Sequence, residues 1–181
     1  DSCIYAIPAV CNTPLRGTTI GANLNISPGV CGNNVSINTP GVWYTFTGTG
    51  NTISASTCSP DTDFDTQISV SSGSCGNLSC IGGNDDFTGC SNNQNFSQFA
   101  WNSVSGQTYY IFVHGFNSAT GNFTLTVNAQ SVANAGQDQT ICLGDTTTLT
   151  ASGGSQYSWS TGENSASIDV APLSTTDYSV T

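Results

Sequence analysis

Period-two alternation runs through most of this chain and the helical period is absent, which restricts it to β-structure. Residues 109–114 set the pattern most sharply. Tyr109, Ile111 and Val113 alternate with Tyr110 and Phe112, so both faces are apolar and the strand belongs in the middle of a sheet. Residues 122–127 place Phe123, Leu125 and Val127 opposite Thr124 and Thr126, as a strand with one wet face does. Residues 41–48, 51–57, 66–71 and 98–104 also read as strands, separated by Gly, Asn, Asp and Ser. Many short strands joined by such turns predict an all-β, jelly-roll-like antiparallel β-sandwich.

The texture changes near residue 129. Residues 130–136 are small and weakly patterned, as a linker is. Residues 1–129 therefore form one predicted domain and residues 137–181 a second. The second carries predicted strands at 140–142, 146–151, 157–160, 166–170 and 178–181. Its Trp159 strand suggests a small immunoglobulin-like β-sandwich, although about 50 residues is short against the roughly 100 of a full one.

Charge excludes several functions. The chain has 11 acidic side chains, a single basic one and a net charge of −10. Arg16 alone cannot neutralise a run of phosphates, so nucleic acid and anionic lipid are excluded as partners. No apolar run is long enough to span a membrane. The 8 cysteines lack the Cys-x-x-Cys pairs of zinc sites and read as disulfides, which require an oxidising compartment. Asp1 is expected to be a mature amino terminus exposed by cleavage. Spacing favours Cys75 with Cys80, Cys58 with Cys90 and Cys3 with Cys11, and leaves Cys31 and Cys142 over. Connectivity is not deducible from sequence.

The chemically informative feature is acidic. Asp61, Asp63 and Asp65 recur every second residue, and Asn84, Asp85 and Asp86 form a second run. Together the runs hold five of the 11 acids and no base. If the fold joins them, the crowded carboxylates need protons or a cation. Hard oxygens from a loop suit Ca²⁺, with Asn84 and backbone carbonyls as the neutral ligands. The plainer alternative is a pair of solvated acidic turns.

Catalysis has little to work with. His114 is the only histidine, it lies among Tyr and Phe, and a packed hydrogen-bonded role is its default. No Gly-x-Ser-x-Gly elbow and no phosphate loop occurs. The expectation is a non-enzyme. Trp43, Tyr44, Trp101 and Tyr110 are candidates for stacking on sugars, but each sits in a regular strand and core packing is the favoured role.

Ordered motifs carry a family resemblance. Gly41-Val-Trp-Tyr-Thr-Phe46, Asp63-Phe-Asp-Thr-Gln-Ile-Ser-Val70, Cys80-Ile-Gly-Gly-Asn-Asp-Asp86, Tyr109-Tyr-Ile-Phe-Val-His-Gly115 and Gly121-Asn-Phe-Thr-Leu-Thr-Val127 resemble the bacterial pre-peptidase C-terminal type of domain, in its Cys-rich, Bacteroidetes-like form. The resemblance implies a jelly-roll sandwich, often calcium-stabilised, in secreted bacterial proteins. It implies Asp63, Asp65, Asn84, Asp85 and Asp86 as cation ligands, with Asp61 a weaker transfer. Residues 134–181 resemble the immunoglobulin-like repeats of surface adhesins, through Asn134-Ala-Gly-Gln-Asp-Gln-Thr-Ile-Cys142, Tyr157-Ser-Trp-Ser-Thr-Gly162 and Thr175-Thr-Asp-Tyr-Ser-Val-Thr181. Such repeats usually add a last strand whose cysteine would pair with Cys142. The expectation is a secreted, non-catalytic cell-surface structural or adhesive protein. It is either part of a longer chain or a filament subunit completed by strand donation from a copy of itself. The alternative is an accessory module of a secreted hydrolase that binds surface glycans or proteins. Sequons at Asn25, Asn34 and Asn122 add candidate glycosylation sites.

Overall fold

The computed structural model describes residues 2–23, 29–32, 35–37, 39–91, 93–130, 133–154 and 156–181. Asp1, the sequons at Asn25 and Asn34, and residues 131–132 of the expected linker lie outside them. The chain divides into two compact units, Asp1–Gln130 and Ser131–Thr181. Both are β-structure; the helical pieces among the described residues are the 3-10 turns Cys3–Tyr5 and Phe116–Ser118. Among the described residues no helix is long and apolar enough to cross a membrane.

The first unit is a two-sheet sandwich. One sheet takes β1 (Ile7–Pro8), β5 (Gly41–Thr47), β10 (Thr108–Gly115), β7 (Thr66–Ser74) and β8 (Asn77–Asn84), in that spatial order. The other takes β2 (Leu15–Thr18), β11 (Asn122–Gln130), β6 (Thr52–Ser56) and β9 (Gln98–Asn102). A ribbon of β3 (Gly29–Cys31) and β4 (Val35–Ile37) completes the unit. The period-two pattern explains the layering. Tyr109, Ile111 and Val113 point inward with Tyr44, Ile68 and Val70 of the same sheet. They meet Ile53, Trp101, Phe123, Leu125 and Val127 of the other.

Strand β10 is central, paired to β5 on one side and β7 on the other. Its second apolar face is covered as well. Phe112 packs on Trp43 with centroids 4.5 Å apart, beside Cys3 and Cys31. Trp43, Tyr44 and Trp101 are thus core residues, in line with the favoured expectation of core packing: each is almost wholly buried.

Three disulfides hold this outer layer and the loops: Cys3–Cys75, Cys31–Cys80 and Cys58–Cys90. The last is as expected. The expected Cys75–Cys80 and Cys3–Cys11 pairs are corrected, because spacing along the chain does not report which strands lie side by side. Cys11 and Cys142 are free. Loops of 72, 49 and 32 residues each add about 4 kcal/mol in the chain-entropy account.

Strand β8 escapes a periodicity reading. Gly82 and Gly83 contribute no side chains, and a bulge between Val70 and Ser71 shifts the register opposite Ile81. The glycines are needed. A Cβ on Gly83 would sit 2.5 Å from the Ile68 carbonyl oxygen, and one on Gly82 would meet the Phe99 ring.

The second unit is thinner. Strands β12 (Thr147–Thr150) and β13 (Ser167–Val170) form a ribbon, and Trp159 bridges Val180 opposite it. Ala151, Trp159, Ile168 and Val170 form its small core. The expected strand at 140–142 is not formed: no strand pairs with it among the described residues, and the Cys142 carbonyl accepts from the Asp145 N–H in a turn.

His114 closes the outer face of β10. It is fully buried and stacks on Phe112. Thr39 Oγ1 donates to the Gly115 carbonyl at 3.2 Å, so it accepts from His114 Nδ1 at 2.8 Å. Nε2 has no partner among the described residues. Burial pulls this imidazole down to about 4, against a backbone hydrogen bond at Gly115 that raises it. Below pH 6.5 the unfolded chain takes up a proton that the folded chain refuses, so His114 withdraws stability as pH falls from 6.5 toward 4. The loss amounts to about 3 kcal/mol. Urea unfolding across that window should show a shallower acid decline in His114→Phe than in the parent; equal slopes would contradict this assignment.

Candidate metal centre

The β7–β8 hairpin assembles the acidic site. In an antiparallel hairpin the residues before the first strand lie beside those after the second. Ile68 pairs with Asn84, which closes the ladder. Asp65 immediately precedes β7, and Asp85 and Asp86 immediately follow β8. Three carboxylates from two distant stretches therefore meet, each offering an oxygen within 4.8 Å of the others.

The surrounding loops are stapled in place. Cys58–Cys90 links the segment before the first acidic run to the segment after the second. Beneath it, Thr57 Oγ1 and Thr66 Oγ1 lie 2.7 Å apart and both accept from the Ser97 N–H. Ser97 Oγ bonds to the carbonyls of Thr66 and Asp85. The Phe116 N–H donates to the Asp65 carbonyl at 3.1 Å. The backbone carrying the carboxylates is thus held from four segments.

Their electrostatics are unfavourable. Asp65 Oδ1 and Asp85 Oδ1 are buried without a hydrogen-bond partner among the described residues. Asp65 is pushed up to about 6, first by loss of solvent, then by the charges of Asp85 and Asp86. Asp85 is also raised, by burial and by Asp86, although a hydrogen bond from Gln67 opposes the rise. Arg16, the only basic side chain, is committed elsewhere, 2.8 Å from Asp61.

Only part of the expected ligand set converges. Thr62 and Phe64 are buried between the aspartates, so the alternation is real. The chain bends at Phe64, however, and the carboxylates fan out. Asp61 and Asp63 stand apart from this group of three: Asp61 pairs with Arg16, while Asp63 accepts from the Asn122 N–H at 2.7 Å and from its Nδ2 at 3.0 Å. Gly121 leaves the room for that contact, because a Cβ there would lie 2.1 Å from Asp63 Oδ1. The same contact occupies the side-chain amide of the Asn122 sequon. Asn84 stands next to the cluster as a brace. Its Oδ1 accepts from the Gln98 N–H, and its Nδ2 donates to the Asp86 carbonyl, both at 3.2 Å. Sequence reasoning missed Gln67, whose place beside Asp85 follows from the strand register alone.

Comparison with protein-family models and with curated proteins finds no match.

Asp61 and Asp63, two residues apart, should thus behave differently from one another. The Arg16–Asp61 pair is exposed, so Asp61→Ala should change stability by less than about 0.5 kcal/mol. Asp63→Ala leaves the Asn122 donors without their carboxylate and should cost about 1–3 kcal/mol. Denaturant midpoints of the two variants give the comparison, and equal losses would refute it.

Proposed function

We propose that this chain is a secreted, non-catalytic structural or adhesive protein of a bacterial cell surface, and that its first unit binds Ca²⁺ through Asp65, Asp85 and Asp86. The observation that carries the metal reading is the meeting of three carboxylates at the open end of one hairpin, two of them with buried, unpartnered oxygens. A divalent cation would replace mutual repulsion with attraction, and all-oxygen donors match a hard ion. Backbone carbonyls and water would supply the remaining ligands.

Secretion is supported by three disulfides, which persist in oxidising compartments. A structural role is supported by what the residues are engaged in. The single histidine is sealed in the core, where no substrate reaches its contact with Thr39. Three of the four aromatic candidates for a glycan platform are packed inside the sandwich. The resemblance to pre-peptidase C-terminal domains and adhesin repeats rests on the motifs quoted above and leads to the same reading.

Melting with excess Ca²⁺ and with chelator tests the metal. A cation bound only by the folded state at about 100 times its Kd adds about 2.7 kcal/mol, which is on the order of 10 °C for a chain of this size. Asp65 supplies a second arm. Its raised value means that its contribution is present at low pH and is lost as pH rises through about 6, so without metal the ionised form is a burden at pH 7. Asp65→Asn should therefore raise the midpoint in chelator and abolish the response to Ca²⁺. An unchanged midpoint on chelation of the parent protein would leave the cluster as an acidic turn.

A further inference from the structure

We propose that the groove of the second unit receives the amino-terminal edge of another copy of this chain, and that Cys142 of the first copy bonds there to Cys11 of the next. The proposal rests on the surface-assembly reading above and supplies its contact.

The groove encloses about 610 Å³ between residues 135–143 and 172–178, over Leu149 and Val170. Its walls leave backbone groups open. Among the described residues, no backbone-to-backbone hydrogen bond engages residues 137–141 or 173–177. Leu143 and Leu173 stand about 80% exposed at the rim, at 79% and 80%. Segments with open backbone groups beside apolar side chains are what an added strand can pair with. Cys142 lines this groove with a free, exposed thiol.

The other free thiol is Cys11, half-buried in the first unit. It ends a segment whose outer side is apolar: Ile4 and Tyr5 are 73% and 83% exposed, and Val10 is 62% exposed. Within that segment β1 is an edge strand, paired to β5 on one side only. The segment thus presents an unpaired edge and exposed apolar side chains, with a half-buried thiol at its end that packs partly against the core.

Charge selects the same face. Residues 2–60 contain no acidic side chain, and their Arg16 is balanced by Asp61, whereas residues 131–181 contain Asp138, Asp145, Glu163, Asp169 and Asp177 with no base. Asp138 and Asp177 line the groove. In a chain of net charge −10, the acid-free amino-terminal stretch is the surface that approaches an acidic groove with least repulsion. A groove on one unit meeting an edge on the other is a heterologous contact, so each docking leaves one groove and one edge open and the assembly extends head to tail. The bond forms by oxidation. Two thiols lose two protons and two electrons and become one disulfide, and a small-molecule disulfide accepts both and leaves as two thiols.

The test uses the whole chain with Ca²⁺ and glutathione disulfide, analysed by non-reducing electrophoresis and intact mass. The parent should give a ladder of multimers that reductant collapses. Cys11→Ser alone and Cys142→Ser alone should stay monomeric, and their equimolar mixture should give dimers and nothing larger, since each supplies one half of the contact. Leu173→Asp in the Cys11→Ser partner should lower the dimer yield about tenfold, which separates docking from random thiol oxidation. A parent monomer two hydrogens lighter, with both free thiols consumed, would overturn the proposal, as would a Cys11→Ser protein that still dimerises. Melting the same samples with chelator keeps the readings apart: a ladder without a calcium shift removes the metal alone, and a calcium shift without a ladder removes this contact alone.

Discussion

The burial of β10 on both faces is the constraint around which the first unit is arranged. A strand at the centre of a sandwich usually needs one apolar face. This one offers Tyr109, Ile111 and Val113 to the facing sheet and Phe112 and His114 to the other side. The second face needs cover, and no third sheet supplies it. The 3-10 turn Cys3–Tyr5 and the β3–β4 ribbon do so, through Cys3 and Cys31. Two of the three disulfides tie these pieces to the β7–β8 hairpin, which makes covalent bonds part of the layering.

The same hairpin joins stability to the acidic site. Its inner strand feeds the core through Ile68 and Val70, and its open end gathers Asp65, Asp85 and Asp86. The carboxylates cannot separate without disturbing the ladder beneath them or the Ser97 contacts beside them. Repulsion there is borne by the fold, and a bound cation would turn that cost into cross-linking of the two strand ends.

Legibility in the sequence followed the side chains. The strands of alternating large residues, β5, β7, β10 and β11, could be read because each residue reports its own face. Strand β8 could not, since Gly82 and Gly83 report nothing and a bulge breaks the period. The DxDxD run was legible as chemistry but misleading as geometry. Period two places three carboxylates on one side only while the backbone stays extended, and the bend at Phe64 sends Asp61 to Arg16 and Asp63 to Asn122. The cysteines could be identified as disulfides by number and spacing, whereas two of the three bridges span 49 and 72 residues and join elements that only strand order brings together.

From composition and periodicity alone come the all-β class, the central place of residues 109–114 and the existence of two acidic runs, because each depends on residue type or on neighbours along the chain. Tertiary structure decided which carboxylates share a site, which thiols pair and which remain free, and that Trp43, Tyr44 and Trp101 face inward. Those outcomes depend on distances between residues far apart in sequence, set by strand order and register, and a period-two pattern carries no information about either.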